Sequence, residues 1–127
     1  MSEQYIDDFN TTLLDLAKQL ALSCPNSIIA NNYKSMEAII RQYPTKILDQ
    51  FINFVLPDKP RIDAGDADYF MNNNYNNITA GDNALIKNVF EFKTIWTQLS
   101  ENNRIVVVQY MQLLCSLASE YFLITCT

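Results

Sequence analysis

Histidine is absent from this 127-residue chain. The chain therefore lacks the commonest general base, the commonest metal ligand and the Ser-His or Cys-His pairs that activate nucleophiles. It also lacks a glycine-rich loop of the kind that holds nucleotide phosphates. We expect a protein that is not an enzyme and that holds no cofactor and no metal. An enzyme built on Asp, Glu, Tyr and Lys alone stays as a lower alternative, and it would need carboxyl groups with shifted pKa values in one pocket.

Glycine is also scarce, and this bears on the fold. Two glycines, Gly65 and Gly81, leave little material for hairpin turns, which argues against an all-β protein. The three cysteines, an odd number, are expected to stay as thiols in a reducing compartment. Along a helix, Cys115 and Cys126 would lie about 16 Å apart, too far for a disulfide or a shared zinc ion.

Positive charge is the third scarce property. Nine Lys and Arg residues stand against fourteen Asp and Glu residues, for a net charge of −5, and the basic residues never form a run. Binding to nucleic acid depends largely on basic residues that neutralise phosphates, so we expect no nucleic-acid partner. The N-terminal residues also lack the basic region and apolar core of a signal peptide.

The residues that are abundant predict helices. Apolar residues make up 49 % of the chain and recur at steps of three and four, which favours an all-α fold in a single domain over 1–127. We expect a bundle of about five helices. They are 3–23, a second helix that Pro25 opens and whose apolar stripe reaches Tyr43, 45–56, 82–99, and a long last helix that Ser100 caps.

An irregular loop is expected over about 57–81. Pro57 and Pro60 each disfavour helical geometry in the residue before them, which argues against a helix across 58–61. Within this loop, 66–71 can form one helical turn whose aromatic side chains attach the loop to the core. The asparagine-rich stretch 72–77 is typical of turns.

The same loop carries the one acidic cluster of the sequence, Asp63, Asp66 and Asp68. A calcium-binding loop needs oxygen ligands at alternate positions, and that frame fails at Gly65 and Ala67. We therefore interpret these carboxylates as capping groups in a solvated turn.

The last helix is apolar on most faces over 105–124, so we expect it to be the central element of the bundle. Its length also matches a membrane span. However, Gln109, Gln112 and Glu120 would be costly in hydrocarbon, and this disfavours a membrane anchor.

Five aromatic residues are candidates for contact with a partner protein. Trp96 is expected in the core, and it becomes an interface anchor if it is exposed, because tryptophan is enriched in hot spots. Phe54 falls off the apolar stripe of its helix, and the remaining candidates lie in the irregular loop. The five are Phe54, Tyr69, Phe70, Tyr75 and Trp96.

Several short motifs follow one another along nearly the whole chain. They are Phe-Asn at 9–10, Leu-Leu-Asp-Leu at 13–16, Asp-Ala-Asp-Tyr-Phe-Met at 66–71, Trp-Thr-Gln-Leu-Ser-Glu-Asn-Asn at 96–103 and then Tyr110. In this order they resemble small all-helical proteins of nucleocytoplasmic large DNA viruses. The chain departs from that pattern at Tyr69, where phenylalanine is usual, and in the valine-rich start of its last helix. The resemblance implies a virus-encoded protein of the host cytoplasm or the virion, with no catalytic residue.

We therefore expect a non-enzymatic protein-interaction module, either a minor virion component or an adaptor, whose partner is a viral or host protein. The alternative is a self-assembling structural homo-oligomer, because the apolar last helix has more surface than four short helices can cover. A bundle like those of apoptosis-regulating proteins is a lower alternative. It is indicated only by Asn-Asn-Arg-Ile at 102–105, without the tryptophan and glycine of those proteins.

Overall fold

The computed structural model describes residues 2–72 and 92–125, and within those ranges the chain is helical and forms no strand. The predicted all-α bundle with an apolar C-terminal helix is confirmed. Six α-helices and three short 3₁₀ turns are present in the described ranges. The helices are α1 (Ser2–Ser23), α2 (Ile28–Gln42), α3 (Lys46–Phe54), α4 (Lys59–Asp63), α5 (Ala67–Asn72) and α6 (Glu101–Thr125).

Helix α1 forms where the sequence predicts it, because its apolar residues recur on one face. Phe9, Leu13 and Leu16 are fully buried there, and Leu20 nearly so. The helix packs against α6 and α2. Ser2, which we expected to be the N-cap, instead lies inside the first turn.

Helix α2 begins three residues later than Pro25. The Ser27 side-chain oxygen accepts a hydrogen bond from the backbone N–H of Ala30 at 3.2 Å, so Ser27 is the N-cap. The helix ends at Gln42 because Tyr43 precedes a proline and adopts a non-helical φ of −134°. Tyr43 is therefore 59 % exposed instead of completing the apolar stripe.

Helix α3 places Phe51 at the centre of the core. The Phe51 ring meets the Phe9 ring of α1 edge-to-face, with centroids 5.1 Å apart. Ile47 and Leu48 of the same helix are also buried. Helix α3 packs against α1, where Phe51 meets Phe9, and it also packs against α6.

The expected irregular loop is wrong for 57–72, which is mostly helical. Leu56–Asp58 forms a 3₁₀ turn and Lys59–Asp63 forms α4, with Pro57 and Pro60 each at the second position of its element. A proline in the first turn removes no helical hydrogen bond, because the first N–H groups of a helix have no partner within it. The two prolines therefore start these elements instead of preventing them. The rest of the expected loop, 73–81, lies outside the described residues.

Gly65 ends α4 with a left-handed backbone. Its φ is +66°, its N–H donates to Ile62 O at 3.0 Å, and the next N–H, of Asp66, donates to Arg61 O at 3.1 Å. This pair of bonds is a Schellman motif. Asp66 then caps α5, since its carboxylate accepts from the N–H of Asp68 at 3.0 Å. The predicted helical turn over 66–71 is thus confirmed as α5.

We expect Gly65→Ala to lower the free energy of unfolding by about 1 kcal/mol. A Cβ at this position would lie 3.9 Å from Val108 Cγ1, which is an ordinary contact, so the cost comes from the positive φ alone. Gly65→Asn is the matched control, because asparagine tolerates this backbone better and should cost less. Urea denaturation of both variants measures the difference. Equal losses would show that backbone strain is not the cause.

The predicted helix over 82–99 is wrong for the part that is described. Phe92–Thr94 and Trp96–Gln98 form two 3₁₀ turns, and Leu99 is extended with ψ 140°. The β-branched Ile95 lies between the turns and has a low intrinsic preference for helix. The rings of Phe92 and Trp96 both lie against the ring of Phe70.

Helix α6 begins where Ser100 caps it, as predicted, with the Ser100 hydroxyl accepting from the N–H of Asn103 at 3.1 Å. The helix packs against α1, α3 and α4. One face is buried, formed by Val107, Met111, Leu114, Cys115 and Ala118. The remaining apolar side chains of α6 are at least partly exposed. Helix α6 is therefore two-sided, with one buried apolar face and further apolar side chains exposed to solvent.

Candidate interaction surface

The structure buries three of the five aromatic residues predicted to contact a partner. Tyr69 and Phe70 are each 1 % exposed and Trp96 is 5 % exposed. The Phe70 and Trp96 rings stack with centroids 5.2 Å apart and planes 13° apart, and the Tyr69 ring meets Phe70 edge-to-face. These three rings are therefore not exposed partner contacts, and the predicted attachment of 66–71 to the core by its aromatic side chains is confirmed. The rings hold α5 and the 3₁₀ turns to the core, and the core placement of Trp96 is confirmed.

Two arginine side chains cover the outer side of this aromatic cluster. The Arg104 Nε donates to Trp96 O at 2.8 Å, and its guanidinium lies 5.5 Å from the centre of the Trp96 ring. The Arg61 guanidinium lies 5.4 Å from the centre of the Tyr69 ring. Both contacts have cation–π geometry. They leave the rings unavailable to a partner without local opening of the fold.

The other two candidates differ from each other. Phe54 is half-buried and packs against the core, so it presents only part of its ring to solvent. Tyr75 lies outside the described residues.

The acidic cluster of the sequence forms ion pairs. Arg61 bonds Asp66 at 3.0 Å and Asp68 at 3.3 Å, while Lys59 pairs with Asp63 one turn along α4. The hydrogen bond from Arg61 holds the pKa of Asp66 below its usual value. Asp66 caps α5, as the sequence predicted for this cluster, and the ion pairs link residues on both sides of the α4–α5 turn. They are exposed pairs, which contribute little to stability.

The described part of the core contains two buried free thiols, Cys24 and Cys115. Cys115 is fully buried, and burial raises its pKa to about 12. At neutral pH the group is therefore a protonated thiol, which is a poor nucleophile and a poor metal ligand. Cys115 acts as a small apolar side chain.

We expect iodoacetamide to leave Cys115 unmodified in the folded protein at pH 7.5. The thiolate fraction is reduced roughly a thousandfold relative to a free cysteine, and the side chain is closed to solvent. Mass spectrometry of tryptic peptides provides the measurement, with the same reaction in 8 M urea as the control that must give full modification. Rapid modification of the native protein would contradict the burial of this face of α6.

Exposed apolar side chains concentrate on α6. Six of the nine large apolar residues that are exposed in the described ranges lie on this one helix. Scattered single residues of this kind are normal on a protein surface, but a contiguous set marks an interaction site. The six are Ile105, Val106, Leu113, Phe122, Leu123 and Ile124.

Part of this set lines a groove with α1. Val106, Tyr110 and Leu113 border one hollow, and Leu113 and Leu117 border the next together with Asp8 and Thr12. A third hollow joins Val106 to Gln19 of α1. We call this continuous surface the α1/α6 groove. Its floor is Val106, Tyr110, Leu113 and Leu117, and its α1 wall is Asp8, Thr12 and Gln19.

Two other clefts border the bundle. One lies between α1 and α2, where Lys18, Leu22 and Tyr33 line it. The other lies beside the aromatic cluster, where the Trp96 edge, Met71 and Ile105 meet. Their volumes are about 480 and 410 Å³, larger than any single hollow of the α1/α6 groove.

Sequence reasoning missed the residues of the α1/α6 groove, although it anticipated an uncovered surface on the last helix. The available signal was the spacing of Val106, Tyr110, Leu113 and Leu117, which recur at steps of four and three. The same spacing describes a buried stripe. Only the packing of α1 against the neighbouring face shows which stripe stays exposed.

Within the described ranges α6 is the one helix long and apolar enough to span a membrane, judged by length and composition alone. The core helix of a packed bundle meets the same criterion. In this chain Gln112 of α6 donates to the carbonyls of Ile62 and Asp63 at 3.2 Å each, so one of its amides binds the end of α4.

The chain matches no protein-family model, no curated protein and no solved structure.

Proposed function

We propose that this chain is a non-enzymatic protein-interaction module that binds another protein through the exposed apolar side of α6. The observation that carries the proposal is the concentration of exposed Val106, Leu113 and their apolar neighbours on one helix. Burying apolar area is the main favourable contribution to association between proteins. A surface of this composition is better matched to a protein partner than to a small polar substrate.

We further propose a viral setting, in which the module is a minor virion component or an adaptor in the host cytoplasm. The support is the order of short motifs that resembles small helical proteins of nucleocytoplasmic large DNA viruses. Most of the apolar motif residues are core residues, among them Phe9, Leu13 and Phe70. A family that shared these motifs would therefore share this packing.

Site-directed photo-cross-linking tests the interaction. Benzoylphenylalanine at position 113 should yield an adduct with a viral or host protein in producing cells or purified particles. The control is the same amino acid at Arg41 of α2, whose side chain is 77 % exposed and lies away from α6. Adducts at 113 and not at 41 are the expected result. No adduct at either position, from a chain that stays monomeric, would contradict the proposal.

Self-assembly is the second candidate function, and the same exposed apolar side of α6 favours it. In that case a second copy covers Leu113 and its neighbours through a twofold interface. Size-exclusion chromatography with light scattering separates the candidates. A mass that rises with concentration and returns to the monomer on Leu113→Asp supports assembly, and a concentration-independent monomer excludes it.

A further inference from the structure

The floor of the α1/α6 groove has the spacing of a helix–helix seam. Val106, Tyr110, Leu113 and Leu117 step by four, three and four residues. The next step of three falls on Glu120, and Ile124 follows four residues later. This is the 3.5-residue repeat along which one helix packs against another. Helix α1 covers the adjacent face of α6 and leaves this seam at the surface.

The groove carries negative charge. Asp8 lines the groove, and Asp15 follows seven residues later on the same face of α1. Glu120 of α6 lies seven residues after Leu113 and is therefore in line with the floor. Among the described residues that line the groove none is Lys or Arg. Lys18, the basic residue of α1, lines the cleft with α2 instead.

We propose that the α1/α6 groove binds an amphipathic helix whose apolar stripe is flanked by Lys and Arg residues. The inference rests on the proposed function and names the partner's chemistry. The apolar stripe packs on the floor. The cations of the helix meet the carboxylates of Asp8 and Asp15 on the α1 wall and of Glu120 in the line of the floor, and these carboxylates select the charge of the incoming helix.

Charge argues against a second copy as the occupant. A twofold pairing of α6 helices would bring the acidic residues of both copies together, and no described residue lining the groove is basic. Like charges in contact across an interface oppose that pairing. The same acidic residues repel an anionic membrane surface.

The length of the seam sets the length of the partner helix. Val106 and Ile124 are 18 steps apart along α6, or about 27 Å at about 1.5 Å per residue. A partner helix of about 18 residues, or five turns, covers it. Two synthetic peptides of this length serve as probes, with identical leucine stripes and either lysine or glutamate on the flanking positions.

The experiment measures binding of both fluorescent peptides to the full chain by anisotropy. We expect the lysine peptide to bind with a micromolar Kd that weakens as salt is raised, and the glutamate peptide to bind at least tenfold more weakly. The combined variant D8N, D15N and E120Q should weaken the lysine peptide about tenfold. The control variant D7N, E37Q and D49N makes the same change in net charge at residues outside the groove, and should leave the Kd unchanged.

Each of the following outcomes would overturn the inference. Equal weakening by the two triple variants would mean that net charge alone attracts the peptide. Binding of neither peptide would mean that the groove takes another partner. A dimer that Leu113→Asp dissociates, or binding to anionic vesicles instead of the peptide, would assign the groove to a second copy or a membrane. Photo-adducts from position 113 with a non-basic partner would retain the proposed function and reject only this inference.

Discussion

Leu114→Asp is expected to unfold the bundle, whereas Leu113→Asp is expected to leave it folded. Leu114 is fully buried between α6 and its neighbours, and Leu113 is 47 % exposed. Removing a buried leucine side chain costs about 2–5 kcal/mol by itself. Burying an unpaired carboxylate adds several kcal/mol more. The sum rivals the whole stability of a typical domain, about 5–15 kcal/mol.

At Leu113 the aspartate side chain would be exposed to water. We expect Leu113→Asp to cost below about 1 kcal/mol, mainly through the lower helix propensity of aspartate. Far-ultraviolet circular dichroism and urea denaturation of the two variants measure the difference. Similar stabilities for both would contradict the assignment of the two residues to opposite sides of α6. A folded Leu113→Asp variant is also the tool for the binding and assembly experiments, because it removes the apolar surface and keeps the fold.

Trp96→Ala carries the second large effect. The ring is 5 % exposed and stacks on Phe70, so we expect the variant to lose about 3–5 kcal/mol of unfolding free energy. The loss includes the stacked pair and the contact with the Arg104 guanidinium. Urea denaturation followed by circular dichroism measures it, since Trp96 is the single tryptophan and its fluorescence disappears with it.

Two variants control this measurement. Thr97→Ala, at the exposed neighbouring residue, should change stability by about 0.5 kcal/mol or less. Trp96→Phe keeps an aromatic ring against Phe70 and should lose less than Trp96→Ala. A loss below about 1 kcal/mol for Trp96→Ala would mean that the ring faces solvent and would restore it as a candidate partner contact.

Local pattern predicted much of the fold. The stripe of Phe9, Leu13 and Leu16 predicted α1 because helical periodicity is a property of neighbouring residues. The Ser100 cap was predictable for the same reason, since the hydroxyl bonds an N–H three residues along the chain. The class and the long last helix therefore followed from the sequence.

Two predictions about local structure are wrong. Pro57 and Pro60 predict a break in the helix, yet each occupies the first turn of its element, and Gly65 ends α4. The apolar period across Phe92 and Trp96 predicts one continuous helix, whereas the described residues form two 3₁₀ turns. Periodicity and propensity are weak guides at such positions.

The candidate surface could be foreseen only in outline. Aromatic side chains near a loop suggested partner contact, but their size makes them the residues that gain most from burial, as Tyr69 and Phe70 illustrate. The apolar excess of α6 did indicate an uncovered surface. Which residues remain exposed depends on how α1 lies against the helix, and sequence spacing alone does not contain that information.

The two-sided character of α6 underlies both proposals, and hydroxyl-radical footprinting tests it residue by residue. The comparison is between side chains of the same chemistry: Leu113 against Leu114, and Met71, which is 45 % exposed, against the fully buried Met111. Oxidation read by mass spectrometry should be fast at Leu113 and Met71 and slow at Leu114 and Met111. Equal rates at Leu113 and Leu114 in the folded chain would contradict the account.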